Sequence, residues 1–390
     1  MSARPPCEVA DIVRIHGKQF VQQYGAVLHS GHRRVLRALE NCRTSVLGGH
    51  IQACDRCGHR VISYNSCRNR HCPKCQGAAR QKWLAERAAE LLPVPYFHVV
   101  FTLPQRLAPL TLQNQRLLYG LLFRAAAETL LEVAADPRHL GAQIGVLAVL
   151  HTWGQNLQHH PHLHCVVPGG GLSPDHAEWV RCRNNFFLPV KVLSRVFRGK
   201  FLAYLRTAFR QGRLQFHGRL AALWHPSCFS ALLGQARGSE WVVYAKPPFG
   251  GPQHVLRYLS RYTHRVAISN HRLVSITKGQ VTFRWRDYAH GNKKRKRTLP
   301  ACEFLRRFCL HVLPPGLVRI RHFGFLANRL RNTLLPVCRE LLSVLRITLS
   351  CDVSRSAEPL PPCPSCQKGH LHLVERIPSP LLASTRLDSS

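Results

Sequence analysis

Acidic residues are scarce in this chain: 19 Asp and Glu stand against 55 Lys and Arg, a net charge of +36. Such an excess calls for a polyanionic partner, and nucleic acid is the leading one. Arg outnumbers Lys, and the planar guanidinium is the better fork for phosphate. Long apolar runs are missing as well. No stretch of 18 apolar residues occurs, and Met1 to Cys7 contains no apolar segment, so neither membrane insertion nor secretion is expected. The expected location is the cytoplasm, in association with the nucleoid. No internal repeat is present. In a reducing compartment the 16 Cys are not expected to form disulfides, and those in Cys-x-x-Cys pairs read as metal ligands. Scattered ones, such as Cys182, Cys228 and Cys309, read as small core residues. Core-forming residues, by contrast, are plentiful: 45% of the 390 residues are hydrophobic, with 6 Trp and 17 Phe, enough for two or three packed domains.

Helical spacing runs through residues 8 to 45, with a break at Ser30-Gly31, and a second helix is expected over 78–91 before Pro93 and Pro95. Tyr96 to Leu103 is rich in β-branched and aromatic residues and reads as a strand. A helix over 112–135 should end at Asp136-Pro137, and Ile144 to Thr152 and Pro161 to Val167 read as neighbouring strands. A basic helix over 190–211, a strand at Trp241 to Lys246 and a helix over 253–263 follow. Strands are expected at 265–270, 273–277 and 281–285, the last two joined as a hairpin through Lys278-Gly279-Gln280. After a basic loop at 291–297 the chain reads as mainly helical to about residue 346, then as a Pro/Ser-rich tail whose last fifteen residues look disordered. Strands and helices mix without a βαβ rhythm, so the fold class is α+β with an antiparallel core.

Two patterns carry chemistry. His162-Leu163-His164 on a strand turns both imidazoles to one face and Leu163 to the other, the geometry of a divalent-metal site. Two ligands leave the shell incomplete. Gln155 is the first candidate for the third, with His160, Asn156 and His151 behind it, since a hard ion such as Mg²⁺ or Mn²⁺ accepts an amide oxygen. Tyr258 and Tyr262, spaced i, i+4, would share one helix face, where Arg257, Arg261 and Arg265 supply cations to bind phosphate and lower a phenol's pKa. Alone, the histidines could be a surface pair and the tyrosines core residues. Together they supply the nucleophile, metal and phosphate grip that covalent DNA cleavage needs.

Cys54-x-x-Cys57 and Cys72-x-x-Cys75 have the spacing of one four-thiolate Zn²⁺ site, with Cys42, His50, His59, Cys67 and His71 as further potential ligands. The surrounding Arg56, Arg60, Arg68, Arg70 and Lys74 suggest that this module touches DNA. Cys363-Pro-Ser-Cys366 is half a site, to be completed by His370, His372 or Cys351. Lys293, Lys294, Arg295, Lys296 and Arg297 read as a phosphate-binding loop. Stacking of a single strand on Phe283, Trp285 or Tyr288 would compete with core packing.

The order of the cysteine cluster (residues 65–76), His-Leu-His, Tyr-x3-Tyr and Ile320 to Arg329 resembles the insertion sequence 91 family of transposases, over roughly residues 10 to 345. The resemblance implies an HUH-superfamily sheet with flanking helices and a metal-dependent, rolling-circle DNA transposase that cleaves and rejoins single-stranded DNA through 5′-phosphotyrosine. On this chain it implies His162 and His164 as metal ligands and Tyr258 and Tyr262 as nucleophiles. The implied layout is a helical and zinc-binding part at 1–92, a nuclease core at 95–312, a helical DNA-binding extension at 313–346 and a tail at 347–390. A replication initiator or relaxase would share the site, and a non-catalytic zinc-containing DNA-binding protein would share the charge and cysteines.

Overall fold

The computed structural model describes residues 5–183, 186–246, 267–287, 291, 293–344 and 362–380. Helices α1 (Val9–Tyr24) and α2 (Ser30–Glu40) lie where helical spacing was read, burying Val9, Ile12, Val13 and Phe20 from the first and Val35, Leu36 and Leu39 from the second. A hairpin of β1 (Gly49–Cys54) and β2 (Arg60–Tyr64) follows, then α3 (Gln76–Ala88) and strand β3 (Tyr96–Thr102). Short α4 (Ala108–Gln113) leads into α5 (Gln115–Ala135). That helix ends at Asp136, which is extended because the residue before a proline disfavours the helical region.

Strands β4 (Gly145–Trp153) and β5 (His159–Pro168) form a long antiparallel pair, trailed by the small β6 (Gly170–Leu172) and β7 (Trp179–Arg181). Helices α6 (Val190–Arg210) and α7 (Pro226–Gly238) precede β8 (Val243–Lys246). Three further strands, β9 (Leu273–Thr277), β10 (Gln280–Asp287) and β11 (Lys293–Pro300), make an antiparallel meander. Helix α8 (Ala301–Cys309), β12 (Ile320–Gly324), α9 (Asn328–Val344) and β13 (Leu371–Ile377) complete the described chain.

The centre is a five-stranded antiparallel sheet in the order β12-β4-β5-β3-β8, so the fold is α+β, as expected. One face carries Phe97, Val99 and Phe101 of β3, Val146, Ala148 and Leu150 of β4, and Leu163, Cys165 and Val167 of β5. These pack under the apolar faces of α5 and α6. The opposite face is divided. At one end Tyr96, Leu147 and Val166 pack with Phe325, Leu326 and the α9 residues Leu334, Leu335, Cys338 and Leu342. At the other end the alternation continues into histidines. A separate core joins α1 and α2 to the meander and α8 through Phe20, Phe283, Phe304 and Phe308.

Three segments depart from the sequence reading. Lys293 to Arg297 is not a loop: it is the first half of β11, paired residue by residue with β10. A run of cations has no strand preference of its own, so the partner strand supplies the conformation. Ile320 to Gly324 lies in the span read as helical but adds an edge strand to the central sheet. Gly324 has φ +61°, and a Cβ there would sit 1.8 Å from the Ile144 carbonyl oxygen, so only glycine fits the turn into α9. In the tail, β13 pairs with β1 and extends the N-terminal hairpin to three strands. No helix among the described residues is long and apolar enough to cross a membrane.

Candidate active site

Strand alternation places His162 and His164 on one face of β5, and Leu163, fully buried, on the other. The register of the neighbouring strand then decides the third group. His151 of β4 is directly opposite His162 and diagonal to His164, which faces Val149. Ligand nitrogens of His151, His162 and His164 all lie within 4.8 Å of one another. Gln155 is in the turn beyond β4, where its main-chain carbonyl accepts a hydrogen bond from Arg272. The structure thus brings His151, one of the candidates ranked behind Gln155, to the pair. His160 enters through its main chain: Nδ1 of His162 donates to the His160 carbonyl oxygen at 2.6 Å.

That hydrogen bond fixes the His162 tautomer and leaves Nε2 with its lone pair toward the cluster. His164 is held in the same way. Its Nδ1 lies 2.8 Å from Nε2 of His98 on β3, and the two rings stack 5.0 Å apart and nearly parallel. That contact holds the His164 ring in place from behind. His151 stacks on Trp153, with centroids 4.5 Å apart. Burial, with His160 adding to it, pushes His162 down to about 3; His164 is well below the usual imidazole range through burial and the neighbouring His151, His162 and His98. His98 is pushed down to about 3 by burial, then by Lys246 and His162. All three are therefore neutral at pH 7, the state in which imidazole binds a metal. Three histidine nitrogens within 4.8 Å of one another could hold a divalent ion.

His98 had drawn no attention in the sequence. The available signal is a histidine at the buried centre of an otherwise apolar strand, 2% exposed, a position that needs a partner.

The cysteines divide differently from their spacing. Cys42, Cys67, Cys72 and Cys75 form one group, with Sγ–Sγ distances of 3.5 Å for Cys42–Cys75 and Cys67–Cys75 and 3.6 Å for Cys42–Cys72. Four sulfurs about 2.3 Å from a tetrahedral zinc are about 3.8 Å apart, whereas a disulfide is about 2.05 Å, so the group fits zinc. Cys54 and Cys57 do not join Cys72 and Cys75; their neighbours are Cys363 and Cys366. The reason is topological: Cys54 ends β1 and Cys57 lies in the β1–β2 turn, so the hairpin carries both away from Cys72 and Cys75.

Two of the module's cations also serve the fold. Arg70 donates to the main-chain carbonyls of Leu317 and Pro314, each at 2.8 Å, and Nε2 of His71 accepts from the Leu313 N–H at 3.2 Å. Lys74 pairs with Glu8 at 2.6 Å. The same loop then runs to Arg319, whose carbonyl accepts from Leu150 N–H on β4, one residue before His151. The cysteine module is therefore tied by hydrogen bonds to the strand that carries a candidate ligand.

Cations gather on the meander. Directly opposite residues of β10 and β11 share a face, so Arg284 with Lys296 and Arg286 with Lys294 form a four-cation patch, while Val281, Phe283 and Leu299 point into the core. Lys293, Lys294, Arg295 and Lys296 are exposed and Arg297 is half-buried; Arg295 pairs with Asp287 at 3.2 Å. Phe283 is core, and Trp285 packs against that core. Tyr258, Tyr262, Arg257, Arg261 and Arg265, with the helix expected over 253–263, lie outside the described residues, as do Tyr288 and Cys351.

Comparison with known proteins finds transposases. Residues 12–103 match the family described as "Transposase zinc-binding domain", and residues 145–333 match the one described as "Putative transposase". Over 384 residues, 96% of each chain, the protein is 54% identical to "Putative transposase y4qJ" of Sinorhizobium fredii. It is 32% identical to the "Transposase for insertion sequence element IS801" of Pseudomonas savastanoi pv. phaseolicola over 306 residues, 78% of this chain and 72% of that one. No solved structure matches. With a zinc-binding module ahead of a histidine-bearing antiparallel sheet and both relatives aligned along most of its length, the chain belongs to the insertion sequence 91 family of transposases.

Proposed function

We propose that the protein cleaves and rejoins single-stranded DNA at the ends of its element through 5′-phosphotyrosine intermediates, moving the element by a rolling-circle route. The observation that carries this reading is the cluster of His151, His162 and His164, in which His98 holds His164 and the His160 carbonyl holds His162 from behind. These histidines would hold Mn²⁺ or Mg²⁺, which would neutralise charge on the scissile phosphate and align it. The phenol oxygen of Tyr258 or Tyr262 attacks phosphorus; the new O–P bond replaces the bond to the 3′ oxygen, which leaves with a proton as a free 3′-hydroxyl. Attack of a 3′-hydroxyl on the phosphotyrosine reverses the exchange and reseals the strand. The bond energy is conserved throughout, so no nucleotide hydrolysis is needed. Two tyrosines let one keep the first end while the other makes the second cut.

Phosphate binding falls to Arg257, Arg261 and Arg265 beside the nucleophiles and to the patch of Arg284, Arg286, Lys294 and Lys296. Like charges directly across a strand pair oppose folding, and a nucleic-acid backbone relieves that repulsion. Such a protein works where its DNA is, in the cytoplasm at the nucleoid.

The decisive experiment incubates purified protein with labelled single strands carrying the element ends, with Mn²⁺, Mg²⁺ or EDTA, and resolves it on a denaturing gel. A metal-dependent covalent adduct that survives Tyr258→Phe and Tyr262→Phe singly and disappears in the double variant is expected. Absence of any adduct with folded, zinc-loaded protein would reduce the chain to DNA binding.

A further inference from the structure

Cys54 and Cys57 stand 306 or more residues from Cys363 and Cys366 in sequence, yet the Sγ atoms of Cys54 and Cys366, and of Cys57 and Cys363, are each 3.7 Å apart. All four ligand atoms fall within 4.8 Å of one another. These separations match the edge of a zinc–thiolate tetrahedron, about 3.8 Å, and are far too long for disulfides at about 2.05 Å.

The two turns are built alike. The Gly58 N–H donates to the Cys54 carbonyl at 3.1 Å, and the Gln367 N–H donates to the Cys363 carbonyl at 2.9 Å. The residue after the second cysteine is left-handed in both, Gly58 at φ +68° and Gln367 at φ +56°. Main-chain N–H groups of Arg56, Ser365 and Gly369 point at Sγ of Cys54, Cys363 and Cys366, each at 3.4 Å. Donors aimed at sulfur stabilise thiolate rather than thiol. The turns also interlock: Asp55 Oδ1 accepts from the His370 N–H at 2.8 Å, and a Cβ on Gly369 would lie 2.4 Å from Cys54 Sγ. Cys54 and Cys363 are buried, while Cys57 is exposed, so a cation has access from one side.

We propose that Cys54, Cys57, Cys363 and Cys366 form a second four-thiolate zinc site, assembled from the two ends of the chain, which fastens β13 to the N-terminal hairpin. Neither family match reaches residues 363–366, and the quartet of Cys42, Cys67, Cys72 and Cys75 is complete without them. Binding releases the thiol protons to solvent and leaves a tetrahedral S₄ shell, the preference of zinc among divalent ions. The role is structural, so the proposal does not depend on the cleavage chemistry. His370 and His372, considered as ligands from the sequence, are not in the group, nor is any residue of the 72–75 pair.

The test uses the full chain, purified under reducing conditions and reconstituted with Co²⁺. Thiolate-to-cobalt charge-transfer absorbance reads cysteine ligation and is blind to the histidine cluster. Cys363→Ser/Cys366→Ser is expected to remove about half of that absorbance and one zinc per chain by elemental analysis. In parallel, amide exchange in Leu371 to Ile377 should accelerate. Cys363→His, which offers another zinc ligand, is expected to retain the metal, and this separates lost coordination from misfolding. Unchanged absorbance and zinc content in the double Ser variant would overturn the proposal, as would recovery of these four residues as disulfides from reduced lysate.

Discussion

The two faces of the central sheet use the same strand alternation to opposite ends. On β5, Leu163, Cys165 and Val167 sink into a continuous apolar layer beneath α5 and α6, where apolar contacts are nondirectional and their contribution follows buried area. His162 and His164 point the other way, into a cluster where two neutral imidazoles are fixed by hydrogen bonds from behind. One face contributes stability, the other orientation. Neighbouring residues one position apart should therefore fail in different assays.

The largest effect should come from His162→Ala or His164→Ala. Either is expected to lower covalent adduct formation by roughly a thousandfold, equivalent to the several kcal/mol a bound cation supplies. The urea midpoint should fall only modestly, by the equivalent of about 1–3 kcal/mol where a buried partner such as His98 is left unsatisfied. A variant that unfolds instead would show that the histidines belong to the core. Next, Leu163→Ala should cost about 2–5 kcal/mol in chemical denaturation, while the folded fraction keeps its cleavage rate. A rate loss matching that of His162→Ala would erase the distinction between the faces. Weaker again, His98→Phe should reduce metal affinity about 10- to 100-fold, with activity recovered at high Mn²⁺, as expected for a group that orients a ligand without touching the ion. Titrating activity against Mn²⁺ measures this directly.

The smallest effect belongs to two buried histidines outside the cluster. His159, whose Nε2 lies 2.9 Å from the Tyr119 hydroxyl, is pushed down to about 4 by burial, and His311 is pushed down to about 3 by burial and then by His159. Their unfolded values lie near 6.5, so between that pH and about 3 to 4 the unfolded chain binds protons that the folded chain refuses. Stability is thus highest above pH 6.5 and falls as the solution is acidified. Denaturation midpoints at pH 7.5 and 5.5 should show the loss, and His311→Gln should shrink the difference.

Much of this division was legible beforehand. An apolar residue between two histidines on a strand can place its neighbours on only one face, and the strands over 96–103, 144–152 and 161–167 follow from their β-branched and aromatic content. The third histidine was not legible as the leading choice. His151 reaches the cluster only through the β4–β5 register, which shifts between His151 and Trp153, and no local pattern encodes that irregularity. The cysteines misled for a related reason. Spacing favours joining nearby Cys-x-x-Cys pairs, but Cys54 and Cys57 leave on one end of a hairpin whose partner, β13, comes from the far end of the chain. Likewise Arg70 looks like a DNA contact by charge alone, and only the fold reveals the carbonyls of Pro314 and Leu317 beneath it.

The pairing of β13 with β1 has a consequence for biogenesis. β1 emerges early in synthesis and gains its β2 partner at once, but its other edge stays open until residues 371–377 have left the ribosome, after the entire central sheet. Closure of that edge thus follows synthesis of the central sheet. A chain interrupted between Gly324 and Leu371 would keep its five central strands and still display an unpaired edge on β1, a template for non-native strand pairing.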